Sequence, residues 1–182
     1  SPATALIETG TLPIDGPEVR ITFDTFVGRI QARATVDKGI VRGVRFRNVP
    51  AFRLAKEIPI DLDGRQVPVD IAFGGNWYAV VRAEDVGLTL DVAERPEISR
   101  IGTAILRGAT NAMDVIHPED PELAGLVGTV IHGAPRSEDA ASRNATVYRG
   151  GQIDRSPSAT GMAATMACLA ADGQLSVGAS FM

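Results

Sequence analysis

The chain has 182 residues, 45% of them hydrophobic, and a net charge of −4 at pH 7, with a pI near 5.2. This length allows one large domain or two small ones, and the acidic balance argues against nucleic acid or an anionic membrane surface as a partner. We see no run of residues apolar enough to span a membrane and expect no signal peptide. The only cysteine is Cys168, which excludes a disulfide framework and favours a reducing compartment, the cytoplasm.

The first part of the chain predicts a short helix followed by strands. The helix covers residues 3–9. Alternating apolar residues predict three strands, at residues 18–24, 27–36 and 40–47. Asp37-Lys38-Gly39 has the composition of a hairpin turn between the last two. Arg42, Arg45 and Arg47 would point largely outward, either as an anion-binding patch or, the favoured interpretation, as a solvated strand face.

A second group of strands begins near residue 57 and encloses a long helix. The strands are predicted at residues 58–62, 66–73, 76–82, 126–132 and 145–148. The helix begins at Pro96 and extends to about Met113, with apolar residues at helical spacing. Gly74 and Gly75 mark a bulge or a close backbone approach, made either to a substrate or to a packed helix.

Large aromatic and imidazole side chains in this second group are interpreted as structural. Trp77 and Tyr78 are assigned to the core because of their size. His117 follows the long helix, and together with His132 it makes no metal-ligand cluster, so we expect no metal.

The most informative stretch is residues 151–161, Gly-Gln-Ile-Asp-Arg-Ser-Pro-Ser-Ala-Thr-Gly, with the helix that follows. Pro157 suits the first helical position, and Gly173 closes the apolar helical pattern. Ser158, Ala159 and Thr160 would therefore lie at a helix N-terminus, which favours an anion such as a small carboxylate. On residue types alone, an ordinary capped helix after a turn is the favoured alternative. A last strand is predicted at residues 175–181, and the order of elements indicates an α+β fold.

The segment Asp-Arg-Ser-Pro-Ser-Ala-Thr-Gly at residues 154–161 resembles the second active-site motif of the proline racemase and hydroxyproline epimerase family. In that family Asp-Arg-Ser-Pro-Cys-Gly-Thr-Gly is usual. Other landmarks similar to those of the family occur in the same order, at residues 4–10, 46–52, 73–79 and 117–119. The resemblance spans nearly the whole chain, and several motifs at the right spacing make it specific.

The resemblance implies a diaminopimelate-epimerase-like fold of two similar domains, each with a β-sheet around a central helix and the active site between them. Residues 1–55 would be a partial first α/β domain and residues 56–182 a nearly complete second one. A faint internal repeat agrees, since residues 5–12 parallel residues 168–175. By this repeat the first motif of the family would fall before Ser1. We therefore expect a fragment that lacks this motif and the C-terminal segment that returns to the first domain.

The family uses one cysteine at each of two helix N-termini to move the Cα proton, since thiol and thiolate are both accessible near neutral pH. The resemblance implies that Asp154 binds the substrate amine and that the N–H groups of Ala159 and Thr160 bind its carboxylate, in a cleft beside Asp154. A turn residue that caps the helix is the less favoured alternative for Asp154. Tyr148 falls where relatives place an aromatic residue against the substrate ring, and ordinary strand packing is an even alternative. Ser158 occupies the position of the second catalytic cysteine.

Two residues depart from the family motif. The hydroxyl of Ser158 is a much weaker acid than a thiol, and no histidine or lysine lies in the motif to activate it. Ala159 keeps the backbone N–H of the usual glycine but adds a methyl group near the substrate. Cys168 is no substitute, because it lies ten residues further on, about 15 Å along the helix axis, and is expected to be a small core residue.

Three functions remain open. The first is a cofactor-independent amino-acid racemase or epimerase, an isomerase acting at the Cα of proline or hydroxyproline in the complete protein. The second is a trans-3-hydroxy-L-proline dehydratase, because relatives with that activity carry threonine at the second position, and Ser158 is chemically nearer to threonine than to cysteine. The third is an inactive fragment that binds a small carboxylate or only assembles. The expected ligand is a small molecule, and a homodimer is an allowed assembly.

Overall fold

The computed structural model describes residues 1–181, which form two compact units, Ser1–Val49 and a second unit that begins at Pro50. The described part of the chain contains eight strands and three α-helices. No helix within residues 1–181 is both long enough and apolar enough to cross a membrane.

The first unit is a three-stranded antiparallel sheet with one short helix on one face. Its elements are α1 (Pro2–Glu8), β1 (Glu18–Thr25), β2 (Gly28–Asp37) and β3 (Ile40–Arg47). The strands follow the order β1-β2-β3. Ile7 of α1 packs on Ala34 and Val36 of β2, because alternation turns every second residue of β2 to the same face. Ala32 is buried on the same face, and the residues that alternate with these are exposed.

The arginines of the first unit are grouped differently from the sequence expectation. Arg45 pairs across the sheet with Arg33, and both line a shallow hollow together with Arg47. Arg42 instead forms an ion pair with Asp37, at 3.1 Å. All of these arginines are exposed, as a solvated strand face requires.

The second unit is a five-stranded sheet that carries one helix on each face. Its elements are β4 (Phe52–Leu62), β5 (Arg65–Phe73), β6 (Trp77–Arg82), α2 (Arg95–Ala112), β7 (Gly128–Gly133), β8 (Arg143–Tyr148) and α3 (Ala159–Ala171). The strand order is β4-β5-β6-β7-β8. Neighbouring strands are antiparallel except β6 and β7, which are parallel. This parallel pair needs a long connection, and α2 lies in it.

The two helices lie on opposite faces because residues alternate along the strands. On one face the Thr129 hydroxyl donates to the carbonyl of Gly102 in α2, at 2.8 Å. The adjacent Val130 turns to the other face and belongs to a core cluster with Tyr78 and with Ala164 of α3. The apolar core of this unit therefore lies on both sides of the sheet, with α3 above β5, β6 and β7.

Several boundaries differ from the sequence predictions. Strand β4 begins at Phe52 rather than at residue 58, and it shifts register twice against β5. The strand predicted at residues 175–181 is wrong, because Val177 is fully exposed and Gly178 takes a φ of 88°, which turns the chain.

Candidate functional site at the start of helix α3

Ser158 is the residue at which the chain enters α3. The helix begins at Ala159, so Pro157 precedes the cap and the prediction that it occupies the first helical position is wrong. The reason is the backbone of Ser158, whose φ of 61° and ψ of 97° are not helical. A non-glycine residue in such a conformation costs about 1 to 3 kcal/mol and persists only where its surroundings fix it.

Hydrogen bonds on both sides fix this backbone. The N–H of Ser158 donates to the Ser156 hydroxyl at 3.1 Å, and the Ser158 hydroxyl accepts from the N–H of Gly161 at 3.3 Å. The amide of Asn144 in β8 donates to the carbonyl of Pro157 at 2.8 Å. Ser158 is 4% exposed, so its side chain lies beneath the motif rather than on its surface.

Asp154 is held beside the end of β8 by a tight turn. The chain reverses after Tyr148, and the N–H of Asp154 donates to the carbonyl of Thr146 at 2.9 Å. The Asp154 carboxylate accepts from the N–H and the hydroxyl of Ser156, both at 2.9 Å. These bonds, led by the backbone N–H, lower the pKa of Asp154 below its ordinary value of 3.8. The carboxylate is therefore ionised at neutral pH.

Tyr148 connects the end of β8 to Asp154. Its hydroxyl donates to Asp154 Oδ2 at 3.0 Å. Burial is the main reason that the pKa of Tyr148 rises to about 12. The ring is half-buried and packs against the core cluster under α3. Tyr148 thus combines strand packing with a polar contact to the motif.

The hydroxyl groups of Tyr148 and Ser158 have different hydrogen-bond roles. Tyr148 donates its single proton to Asp154, and the Ser158 oxygen accepts from the N–H of Gly161. Tyr148, whose pKa is raised by burial, is protonated near neutral pH and is not a base that could deprotonate Ser158.

Ala159 and Thr160 form the first turn of α3. Their N–H groups have no partner within the helix, because a helix leaves its first N–H groups unpaired. Ala159 is exposed and Thr160 is half-buried. The Thr160 hydroxyl forms a 2.7 Å hydrogen bond with the hydroxyl of Tyr78, from β6. The structure thus gathers Tyr148, Asp154, Ser158, Ala159 and Thr160 at one end of α3; their roles toward a substrate remain predictions.

Three polar contributors lay outside the sequence prediction. Tyr78 was assigned to the core, where it does lie, but its hydroxyl also holds Thr160. Asn144 lies just before the strand predicted at residues 145–148, and nothing in the sequence indicates its contact with Pro157. Thr146, on the same face of β8 as Tyr148, has a buried hydroxyl without a hydrogen-bond partner among the described residues. Only Tyr78 had a usable signal, because a buried tyrosine hydroxyl usually has a partner.

Cys168 is a core residue, as predicted. It is 5% exposed and packs with Tyr78 and Ala164. Burial raises the pKa of its thiol to about 12, which leaves it protonated and unreactive near neutral pH. Within residues 1–181, the structure shows no group of three or more His, Cys, Asp or Glu side chains placed to hold a metal ion.

The α+β sheet unit with an Asp-Arg-Ser-Pro motif at the start of a helix is typical of the proline racemase class. A family model described as Proline racemase matches residues 1–182, and the chain belongs to this family.

The relatives carry several activities. The chain is 37% identical over 179 residues to a trans-3-hydroxy-L-proline dehydratase of Bacillus cereus, covering 98% of this chain and 54% of that protein. It is 36% identical over 183 residues to a 4-hydroxyproline 2-epimerase of Streptosporangium roseum, covering 99% and 54% respectively. The crystal structure of a probable proline racemase from Agrobacterium radiobacter K84 superposes with a TM-score of 0.90 at 32% identity, covering 98% of this chain and 52% of that one.

The chain thus has the diaminopimelate-epimerase-like fold of that structure, and it spans about half the length of the curated relatives it matches.

Proposed function

We propose that the complete protein containing this chain removes the Cα proton of a proline-type amino acid, with the start of α3 as one half of its site. The observation that carries this proposal is the ionised Asp154 next to a helix N-terminus. The carboxylate bonds to Ser156, and Ser156 bonds to the N–H of Ser158, so a negative group and unpaired N–H groups are close together. An amino acid presents a cation and an anion on one carbon, and Asp154 with the N–H groups of Ala159 and Thr160 would match both.

The first candidate reaction is the racemisation or 2-epimerisation of proline or hydroxyproline. It requires one group that takes the Cα proton and another that returns a proton to the opposite face. Ser158 occupies the position of this second group in the family motif. Its hydroxyl accepts from the backbone N–H of Gly161, the residue is 4% exposed, and an unassisted serine hydroxyl is a poor acid and an inaccessible base near neutral pH.

The second candidate, the dehydration of trans-3-hydroxy-L-proline, is favoured by this observation on Ser158. In this reaction a base takes the Cα proton, the bond from C3 to its hydroxyl breaks as the Cα–C3 double bond forms, and the hydroxyl leaves as water with the proton that the base returns to it. The resulting enamine then becomes a cyclic imine by moving a proton. No proton has to be delivered to the second face of Cα, so a serine at position 158 is no obstacle. The dehydratase of Bacillus cereus is among the similar relatives, which supports this candidate further.

The experiment that separates the candidates uses the complete protein with proline, 4-hydroxyproline and trans-3-hydroxy-L-proline. A change in optical rotation reports racemisation or epimerisation, and release of a cyclic imine reports dehydration. We expect imine release from trans-3-hydroxy-L-proline. Product from none of the three would instead support an inactive remnant.

The same assay tests the role of Asp154. Asp154→Asn should raise the KM at least tenfold, because the amide loses the charge that pairs with the substrate amine. Asp139→Asn is the matched control, since Asp139 is exposed in the loop between β7 and β8. Equal KM values for the two variants would contradict the amine-binding role.

We further propose the domains, the compartment and the partners that go with this reaction. Residues 1–55 and 56–182 would belong to the first and second domains of the family fold. The chemistry would need no cofactor, because two positioned acid–base groups, or one in the dehydration, suffice. The single, buried and protonated Cys168 suits a reducing cytoplasm. The ligand would be a small molecule, and a homodimer is an allowed assembly. The acidic pI argues against a nucleic acid or an anionic membrane as a partner.

A further inference from the structure

Tyr78 is a fully buried tyrosine beneath α3. It is 0% exposed, and its ring packs with Ala72, Val130 and Ala164, so the ring has little freedom to move. Its hydroxyl forms a 2.7 Å hydrogen bond with the Thr160 hydroxyl. A buried hydroxyl at this distance makes a well-formed bond, and removing one partner leaves the other unsatisfied.

The backbone before Tyr78 touches the same turn of the helix. A Cβ atom added to Gly74 would lie 2.6 Å from the backbone nitrogen of Ala164 and would also overlap the carbonyl of Thr160. The antiparallel pair of β5 and β6 therefore meets α3 at two points, at Gly74 through backbone packing and at the Tyr78 hydroxyl. Of the two partners predicted for the close backbone approach at the paired glycines, a substrate or a packed helix, Gly74 therefore approaches the helix.

The contact at Thr160 lies next to the strained start of α3. It lies two residues after Ser158, whose positive φ must be maintained by its surroundings. Asn144 holds the chain before the cap, and Tyr78 holds the chain after it. Losing either bond would let the first turn of α3 shift relative to Asp154.

We infer that Tyr78 is a positioning residue, whose buried hydroxyl fixes Thr160 and thereby aims the first N–H groups of α3 at the substrate carboxylate. This inference rests on the proposed function for the identity of the ligand. The placement of the first turn can be tested separately from that identity. Tyr78 acts through Thr160 and does not itself need to touch the substrate.

The test is Tyr78→Phe in the complete protein, which removes one oxygen and keeps the ring. We expect kcat/KM for the best proline-type substrate to fall about tenfold, mainly through KM, because a misaimed carboxylate site weakens binding. Thr160→Val should have the same effect, and Thr160→Ser should preserve activity. The double variant Tyr78→Phe with Thr160→Val should be no worse than either single variant, since both remove the same bond.

Thr129→Val is the matched control. It also deletes one buried hydroxyl bond, to the carbonyl of Gly102, but on the face of the sheet that carries α2. We expect it to lower stability by a similar amount and to leave kcat/KM within about twofold. A fall in kcat/KM equal to that of Tyr78→Phe would show that Tyr78 supports only general stability.

Amide hydrogen exchange tests the positioning role of Tyr78 even if the protein turns over none of the substrates. Tyr78→Phe should speed exchange at Gly161 and Met162, whose N–H groups bond back to Ser158, while Thr129→Val should not. Inactive wild-type protein with faster exchange in Tyr78→Phe would overturn the proposed function and keep the positioning role. Unchanged exchange and unchanged kcat/KM would overturn the positioning role itself.

Discussion

Ser158 is held by its own motif in a way that restricts its chemistry. Its oxygen accepts from the N–H of Gly161, and its own N–H donates to the Ser156 hydroxyl. A cysteine there would be both an adequate acid and an adequate base, because its reference pKa of about 8.5 is lowered at a helix N-terminus. In the proposed reaction, the side chain at position 158 therefore decides whether protons are transferred at one face of Cα or at both.

Ser158→Cys should raise two-way epimerisation in the complete protein, measured by optical rotation from each stereoisomer separately. The thiol can give and take a proton at the second face of Cα. The methyl group of Ala159 limits the gain, so adding Ala159→Gly should increase it further. If Ser158 merely caps the helix, these changes would alter the free energy of unfolding by about 1 kcal/mol and create no activity.

The sequence alone predicts the residues of the motif but not the residues that hold the motif in place. The motif segment is recognisable because its residues are contiguous, and their types match a known pattern. Tyr78 lies far from it in sequence, and the bond to Thr160 exists only because β6 passes under α3. The backbone conformation of Ser158 was also beyond prediction, since serine rarely adopts a positive φ and Pro157 indicated an earlier helix start.

Strand and helix predictions succeeded where the hydrophobic pattern is strong. The bounds of β3 agree with its apolar alternation, and α2 begins within one residue of the prediction. The predicted strand at residues 175–181 had similar apolar content but ends in a turn at Gly178. Apolar content alone does not make a strand, because a strand also needs a partner for its backbone.

The close packing of Gly74 against α3 gives a prediction about the element as a whole. Gly74→Ala should lower the free energy of unfolding by about 1 to 3 kcal/mol, because the added methyl group must displace the backbone of α3. It should also reduce activity by moving the first turn. Urea unfolding and the substrate assay on the complete protein measure the two effects.

Gly43→Ala in β3 is the control for the loss of glycine itself. Nothing lies within 4 Å of the position of its added Cβ, and strand glycines are generally improved by alanine. We expect no loss of stability from this change. A Gly74→Ala variant as stable and active as wild type would show that α3 can shift without consequence.

At the scale of the whole molecule, the chain supplies one face of the proposed reaction. It spans about half the length of its relatives. Asp154, Tyr148 and the start of α3 would bind the substrate, while the base that removes the Cα proton would come from the other half of the site. The central claim is therefore that the complete protein transfers protons at Cα from one side only.

Exchange of the substrate Cα proton with solvent deuterium, followed by NMR with each stereoisomer and the unmodified complete protein, tests this claim most directly. With one working base and a serine at position 158, exchange should occur with one stereoisomer and be very slow with its enantiomer. Rapid exchange with both stereoisomers, accompanied by efficient racemisation in both directions, would contradict the assigned role of Ser158.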